Sequence, residues 1–361
     1  LGIQYYKNLD GLRAIAALMV VLFHFFQNLE FETTLMSSIK SLSVFGRSGV
    51  DLFFVLSGFL ITRILLANKD KANYFRNFYG RRTLRIFPLY YFFLFLYYFV
   101  KPIITSTEIP SIEHQVYFYL YLQNILQTFS IDFVGPGHFW SLAIEEHFYL
   151  FWPLLIYFFN KNILKKVIVF SIALALILRC YFLIKGYDPY YFTLTRIDGL
   201  TIGAFISIME IQGKIKYNHN TRHGILSLFI LTLTLALGKL NQSLGLSIYP
   251  IVKYSLFGFG YFHLILFIIT LRPRSYLNGL FASKPLIFMG RISYGLYVYQ
   301  FFALDIAAYL ARNRVNLFFE FILSIFLLVF FATLSYYLFE VRFLKLKSYF
   351  QNSKKLSVIT K

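Results

Sequence analysis

Apolar residues run along this chain in stretches of about 15 to 24, separated by short segments in which most of the Lys and Arg lie. Such stretches are too long for strands, and roughly 20 apolar residues in a helix match the thickness of the hydrocarbon core of a bilayer. The pattern predicts spanning helices over about 12–28, 44–66, 86–104, 139–159 and 167–184, and again over about 191–209, 224–238, 248–271, 286–309 and 317–339. The seventh is short. The stretch from Val116 to Phe129 is apolar but interrupted, which predicts a helix lying in the interface. The first run lacks a small-residue cleavage site and carries His24, so it reads as a retained helix and not a signal peptide.

Composition agrees with the pattern. Of 361 residues 58% are hydrophobic and 14% charged, with 45 Phe and 29 Tyr, whereas soluble domains carry about 25% charged residues. A water-soluble globule is excluded. The single cysteine, Cys180, excludes an internal disulfide and a multi-cysteine metal site.

The net charge of +19 would suit nucleic acid only if it formed one stripe. Instead, with the N-terminus inside, 22 basic residues fall in inner segments, among them Lys69, Lys71, Arg76, Arg81, Arg82 and Arg85. Five, namely Lys40, Lys185, Lys239, Arg312 and Arg314, fall in outer loops with Glu30, Glu32, Glu108, Glu113, Asp132 and Asp188. The positive-inside rule then places both termini in the cytoplasm and leaves lipid, not nucleic acid, as the partner of these charges. The expected fold is all-α: a polytopic bundle of about ten spans in the inner (cytoplasmic) membrane. Residues 1–345 form one membrane domain and 346–361 a short basic cytoplasmic tail. No repeat or linker marks a second module.

A charge near the bilayer centre costs at least about 2.5 to 3.5 kcal/mol, so each ionisable residue inside a span needs a partner, water or a task. Arg13 and His24 are eleven residues apart, which returns a helix to within about 20° of its starting direction with a rise of about 16 Å. They share one face of the first span. His24 reads either as a general base or acyl carrier, or as a hydrogen-bonding residue between helices. In GVDLFFVLSGFLIT, Asp51 lies near the outer end, with Ser57 and Gly58 mid-membrane where small residues let helices approach.

In PGHFWSLAIEEHFYLFWP, His138, Ser141 and Glu145 follow the i, i+3, i+7 pattern of one helix face. Glu145 and Glu146 suit proton handling, or one of them neutralises an intramembrane arginine such as Arg196 or Arg291. In FYGRRTLRIFPLYY, Arg82 and Arg85 stack on one side of a helix start beside Arg81. Guanidinium groups fork onto phosphate oxygens, so this cluster can anchor a phosphorylated cytosolic donor or lipid head groups. No phosphate loop, HExxH helix or GxSxG elbow is present, and no metal is expected.

In order along the chain, NLDGLRAIAALMVVLFHF, GVDLFFVLSGFLIT, FYGRRTLRIFPLYY, HFWSLAIEEHFYLFWP, RIDGLTIGAF and ISYGLYVYQFF resemble the motifs of the bacterial membrane acyltransferase type 3 family, from Leu9 to about Glu340. The resemblance implies a ten-helix domain that takes an acyl group, usually acetyl, from cytosolic acyl-CoA. It implies delivery to a hydroxyl of an extracytoplasmic carbohydrate, either a surface polysaccharide or a lipid-linked glycan. It also places an Arg-x10-His pair on Arg13 and His24, and an Arg-x-x-Arg pair on Arg82 and Arg85.

The expected roles are CoA phosphate binding by Arg82, Arg85 and Arg13, with the pantetheine arm carrying the thioester towards His24, and base or acyl-carrier chemistry at His24. Glu145 or Asp51 is expected to orient the imidazole, by the logic of a catalytic triad. Two departures stand out: Gln300 occupies the place where many members carry a histidine, and the sequence ends soon after its tenth span. The chain is therefore expected to acylate its acceptor alone or to hand the acyl group to a separate partner. A secondary transporter of a glycan or acylated metabolite would also use intramembrane His, Asp and Glu, but it predicts an internal repeat that is not found.

Overall fold

A chain in lipid must satisfy its backbone N–H and C=O groups within itself, and the apolar runs do so as helices. The computed structural model describes residues 4–27, 29, 34–244, 248–311 and 317–350, and every regular element among them is helical. The bundle is built from α1 (Lys7–Gln27), α2 (Gly49–Asn68), α3 (Tyr74–Thr105), α4 (Trp140–Phe158), α5 (Lys161–Ile184) and α6 (Thr193–Ile211). It continues with α7 (Asn220–Leu244), α8 (Tyr249–Ile269), α9 (Lys284–Arg291), α10 (Ser293–Ala311) and α11 (Leu317–Phe350). Glu30, Glu32, Arg312, Arg314 and residues 351–361 of the basic tail lie outside the described residues.

Seven of these helices, α1, α2 with the turn before it, α3, α5, α7, α8 and α11, are long and apolar enough to cross a membrane. The chain is a multi-pass membrane protein. Helices also occupy the other three expected stretches, as α4, α6 and α10, each of 19 residues, or about 28 Å at 1.5 Å per residue. They are less apolar because they carry much of the polar interior, including Ser141, Arg196, Asp198 and Gln300, all buried.

Two local readings are corrected. The helix of the third span begins at Tyr74, not near 86, so Arg81, Arg82 and Arg85, expected at a helix start, stand within α3. The interfacial helix over 116–129 is instead two short helices, Ile112–Tyr119 and Gln123–Thr128. Tyr121 breaks them apart with φ 57°, and its ring stacks on Tyr90 at 4.2 Å. Gln123 and Asn124 are fully buried, so the second of these helices packs against protein.

Polar chemistry and small residues set the packing. Asn160 caps α5, its side chain accepting from the N–H groups of Asn162 and Ile163 at 3.0 Å. Helices α2 and α6 cross at backbone contact: a Cβ on Gly58 would stand 1.8 Å from the Leu200 carbonyl oxygen, and one on Gly203 2.0 Å from that of Val55. Two buried ion pairs brace the same helix. Arg196 on α6 donates to Asp51 on α2, and Arg179 on α5 donates to Asp198 on α6, both at 2.6 Å. At the other end of the bundle Phe350 packs beneath Gly80 of α3, so the start of the expected tail continues the last helix.

Candidate active site

The start of α1, the middle of α2, the arginine turn of α3, α4, the α9–α10 junction and the end of α11 enclose a cavity of about 500 Å³. That falls within the roughly 300–1,000 Å³ of small-molecule sites. Arg13, Arg82 and Arg85 all line it, with Glu145, Arg291 and Glu340. The sequence therefore brings three of its expected donor residues to one wall. Among the described residues none of these three guanidiniums has an ion-pair partner within 4.0 Å; the ion pairs present are Arg63–Glu210, Arg179–Asp198 and Arg196–Asp51. Arg82 lies 4.6 Å from the centroid of the Tyr149 ring, which holds it against α4. Three half-buried cations facing one space make it a receptor for an anion with several oxygens.

The inner end of the cavity is closed by polar contacts. Ser141 and Tyr297, both lining residues, meet through their hydroxyls at 2.6 Å, and the Tyr297 hydroxyl also donates to the His138 carbonyl oxygen. Beyond them stands His24, outside the cavity lining. The imidazoles of His24 and His138 flank Phe301, with ring centroids 4.6 and 4.9 Å from it. His138 is spent on structure, its Nε2–H donating to the Val298 carbonyl at 3.3 Å.

His24 Nδ1 meets Gln300 Oε1 at 2.8 Å, while Gln300 Nε2 donates to the Tyr297 carbonyl at 3.0 Å. The second bond decides the first. A carbonyl can only accept, so the amide nitrogen faces Tyr297 and the amide oxygen faces the imidazole. Nδ1 therefore carries the proton and donates it to Gln300, leaving the lone pair on Nε2.

The expected orienting acids are thus corrected. Neither Glu145 nor Asp51 touches the imidazole: Asp51 is held by Arg196, and Glu145 faces the cavity beside Ser57 and Tyr149. Pairing of Glu146 with Arg196 is also not seen, because Asp51 takes that place, and Glu146 Oε1 is buried with no hydrogen-bond partner among the described residues. Gln300 appeared in the sequence only as a departure from a motif. Its position eight residues into α10, facing the last turns of α1, is set by packing between helices 276 residues apart in the chain.

Comparison with known proteins gives a consistent assignment. Residues 6–340 match a family model described as an acyltransferase domain. A protein of Staphylococcus aureus strain COL provisionally named an O-acetyltransferase is 29% identical over 95% of this chain and 58% of its own length. The peptidoglycan O-acetyltransferase OatA of Listeria monocytogenes is 29% identical over 82% of this chain and 49% of its own. The O-acetyltransferase OatA of S. aureus strain NCTC 8325 is 27% identical over 92% and 56%. The chain spans about half to three-fifths of the length of these relatives. No solved structure matches it.

Proposed function

Because the chain belongs to this acyltransferase family, we propose that it transfers an acetyl group from cytosolic acetyl-CoA to a hydroxyl of a cell-envelope carbohydrate. In this reading the domain of residues 1–345 crosses the cytoplasmic membrane ten times with both ends inside. The Arg13 cavity opens to the cytoplasm, and His24 stands near the outer face. The observation that carries it is the set of Arg13, Arg82 and Arg85 facing one cavity, none of them with a carboxylate within 4.0 Å among the described residues, in a membrane-spanning chain. CoA supplies phosphates for those guanidiniums and a thin pantetheine arm for the narrow inner end.

The chemistry falls to His24 Nε2. Acting as a base, it takes the proton of the acceptor hydroxyl while that oxygen attacks the thioester carbonyl; the C–S bond breaks and the proton passes to the leaving thiolate. Acting as a nucleophile, Nε2 attacks the thioester carbonyl and the C–S bond breaks with release of the thiolate. The acceptor oxygen then attacks the acyl-imidazole, the bond from Nε2 to the acetyl carbon breaks, and the hydroxyl proton passes to the thiolate. Gln300 serves both routes by holding Nδ1–H, since an imidazole with its proton on Nε2 does neither. The Ser141–Tyr297 contact stands between the cavity and His24, so the Tyr297 side chain swings aside when the thioester arrives.

The test uses the purified chain in lipid nanodiscs with acetyl-labelled acetyl-CoA and cell-wall oligosaccharides. Wild type should place label on the sugar as a base-labile ester, and His24→Ala, equally well inserted, should place none. Unchanged transfer by His24→Ala would sink the assignment.

A further inference from the structure

The end of the bundle at which α1 finishes holds a second cationic group, separate from the Arg13 cavity. It is built where the chain enters α2, α6 and α8. Arg47 lies 3.7 Å from the Tyr190 ring centroid, Arg196 lies 4.8 Å from Tyr190 and 3.9 Å from Tyr254, and Lys253 lies 4.7 Å from Tyr254. Asp51 takes one nitrogen of Arg196. The other, Nη1, is buried and has no hydrogen-bond partner among the described residues, although Arg196 is only 1% exposed. Neither Arg47 nor Lys253 has a carboxylate within 4.0 Å among those residues. Asp188 at the rim is engaged with the Tyr190 N–H at 2.8 Å.

Tyrosine faces offset part of the cost of burying these cations, but they do not neutralise them. Positive charge therefore remains in a cluster framed by aromatic rings. Arg47 and Lys253 are half-buried, so the cluster reaches the surface at that end. It also adjoins the imidazole. The turn carrying Arg47 is pressed onto α1, since a Cβ on Gly46 would stand 2.2 Å from the Met19 carbonyl oxygen. Arg47 reaches to 6.0 Å from the ring of Phe23, whose centroid is 5.2 Å from that of His24.

We propose that Arg47, Lys253 and Nη1 of Arg196, framed by Tyr190 and Tyr254, form the acceptor subsite, and that it takes the carboxylate or phosphate of an anionic glycan. Resting on the transfer reading above, it specifies the acceptor: a sugar bearing an anionic group close to the hydroxyl that receives the acetyl. The anion meets the two cationic side chains at the mouth and the vacant N–H bond of Arg196. The apolar faces of the sugar ring meet the tyrosines, whose broad rings supply contact area at little entropic cost. The arrangement keeps donor and acceptor apart, with phosphates at the Arg13 end and the glycan at the His24 end.

The experiment measures binding and transfer separately, with the full chain in nanodiscs of zwitterionic phosphatidylcholine. The probes are a uronate-bearing tetrasaccharide, the same tetrasaccharide with its carboxyls reduced to alcohols, and that neutral form carrying one phosphate. The charged sugars should bind at least about tenfold more tightly than the neutral one, equivalent to about 1.4 kcal/mol. The tighter of the two charged probes identifies the anion. Arg47→Gln and Lys253→Gln should each remove most of this preference while CoA binding stays within twofold of wild type. Equal binding of charged and neutral sugars overturns the proposal, as does a preference that survives both substitutions. If the charge preference is present but no label passes from acetyl-CoA, the subsite stands and the transfer reading fails. If transfer proceeds without any charge preference, the reverse holds.

Discussion

Gln300→Met removes the acceptor that fixes the His24 tautomer while keeping a side chain of similar length and volume. Gln300 is fully buried, so no bulk water is at hand to replace its Oε1 opposite Nδ1. Leaving the Nδ1–H without its acceptor costs about 1–3 kcal/mol, and moving the proton to Nε2 avoids that cost only by abolishing the reactive lone pair. At about 1.36 kcal/mol per decade of rate, kcat should fall by about 5- to 150-fold. CoA affinity should not change, because Gln300 lies outside the donor cavity. Gln300→Glu, which keeps an acceptor oxygen, should recover more activity than Gln300→Met. The assay is single-turnover acetyl transfer in nanodiscs, with CoA binding and thermal stability measured on the same samples. A Gln300→Met protein with wild-type kcat would refute the tautomer reasoning, as would a loss that Gln300→Glu fails to relieve in a protein of wild-type stability.

Three further outcomes are expected. Arg82→Ala/Arg85→Ala should weaken CoA binding in a titration of purified protein, by on the order of 1.5–3 kcal/mol per lost charge-assisted bond before discounting for water. Lys at both positions should restore part of it, because the ammonium keeps the charge and loses the fork. Asp51→Ala strands the buried Arg196 guanidinium and should destabilise the fold by about 3–5 kcal/mol in thermal unfolding, while leaving His24 Nδ1 bonded to Gln300. A tag near Arg76 or after Lys361 should resist an impermeant reagent in intact cells, and a tag near Glu113 should react; labelling at Lys361 from outside would overturn the proposed orientation.

The helical class and the place of each long helix follow from the sequence by itself, because the length of an apolar run is a local property and lipid allows few alternatives. That Arg13 and His24 share one side of α1 follows for the same reason, since eleven residues on one helix return to one face whatever surrounds it, but only Arg13 lines the cavity. Arg82 and Arg85 were legible as one side of a helix through their spacing, although that helix begins well before the apolar run.

Partnerships between helices were not legible. Asp51 could have faced His24 on composition alone; it faces Arg196 because the α2–α6 crossing, closed at Gly58 and Gly203 to backbone contact, puts those two side chains together. Gln300 meets His24, and Tyr297 closes the cavity short of it, because of where α10 lies along α1. Register between helices far apart in the chain depends on the sum of many packing contacts, none of which leaves a periodic mark in the sequence. The sequence by itself determined which groups stand on the long apolar helices, and tertiary packing decided which of them meet.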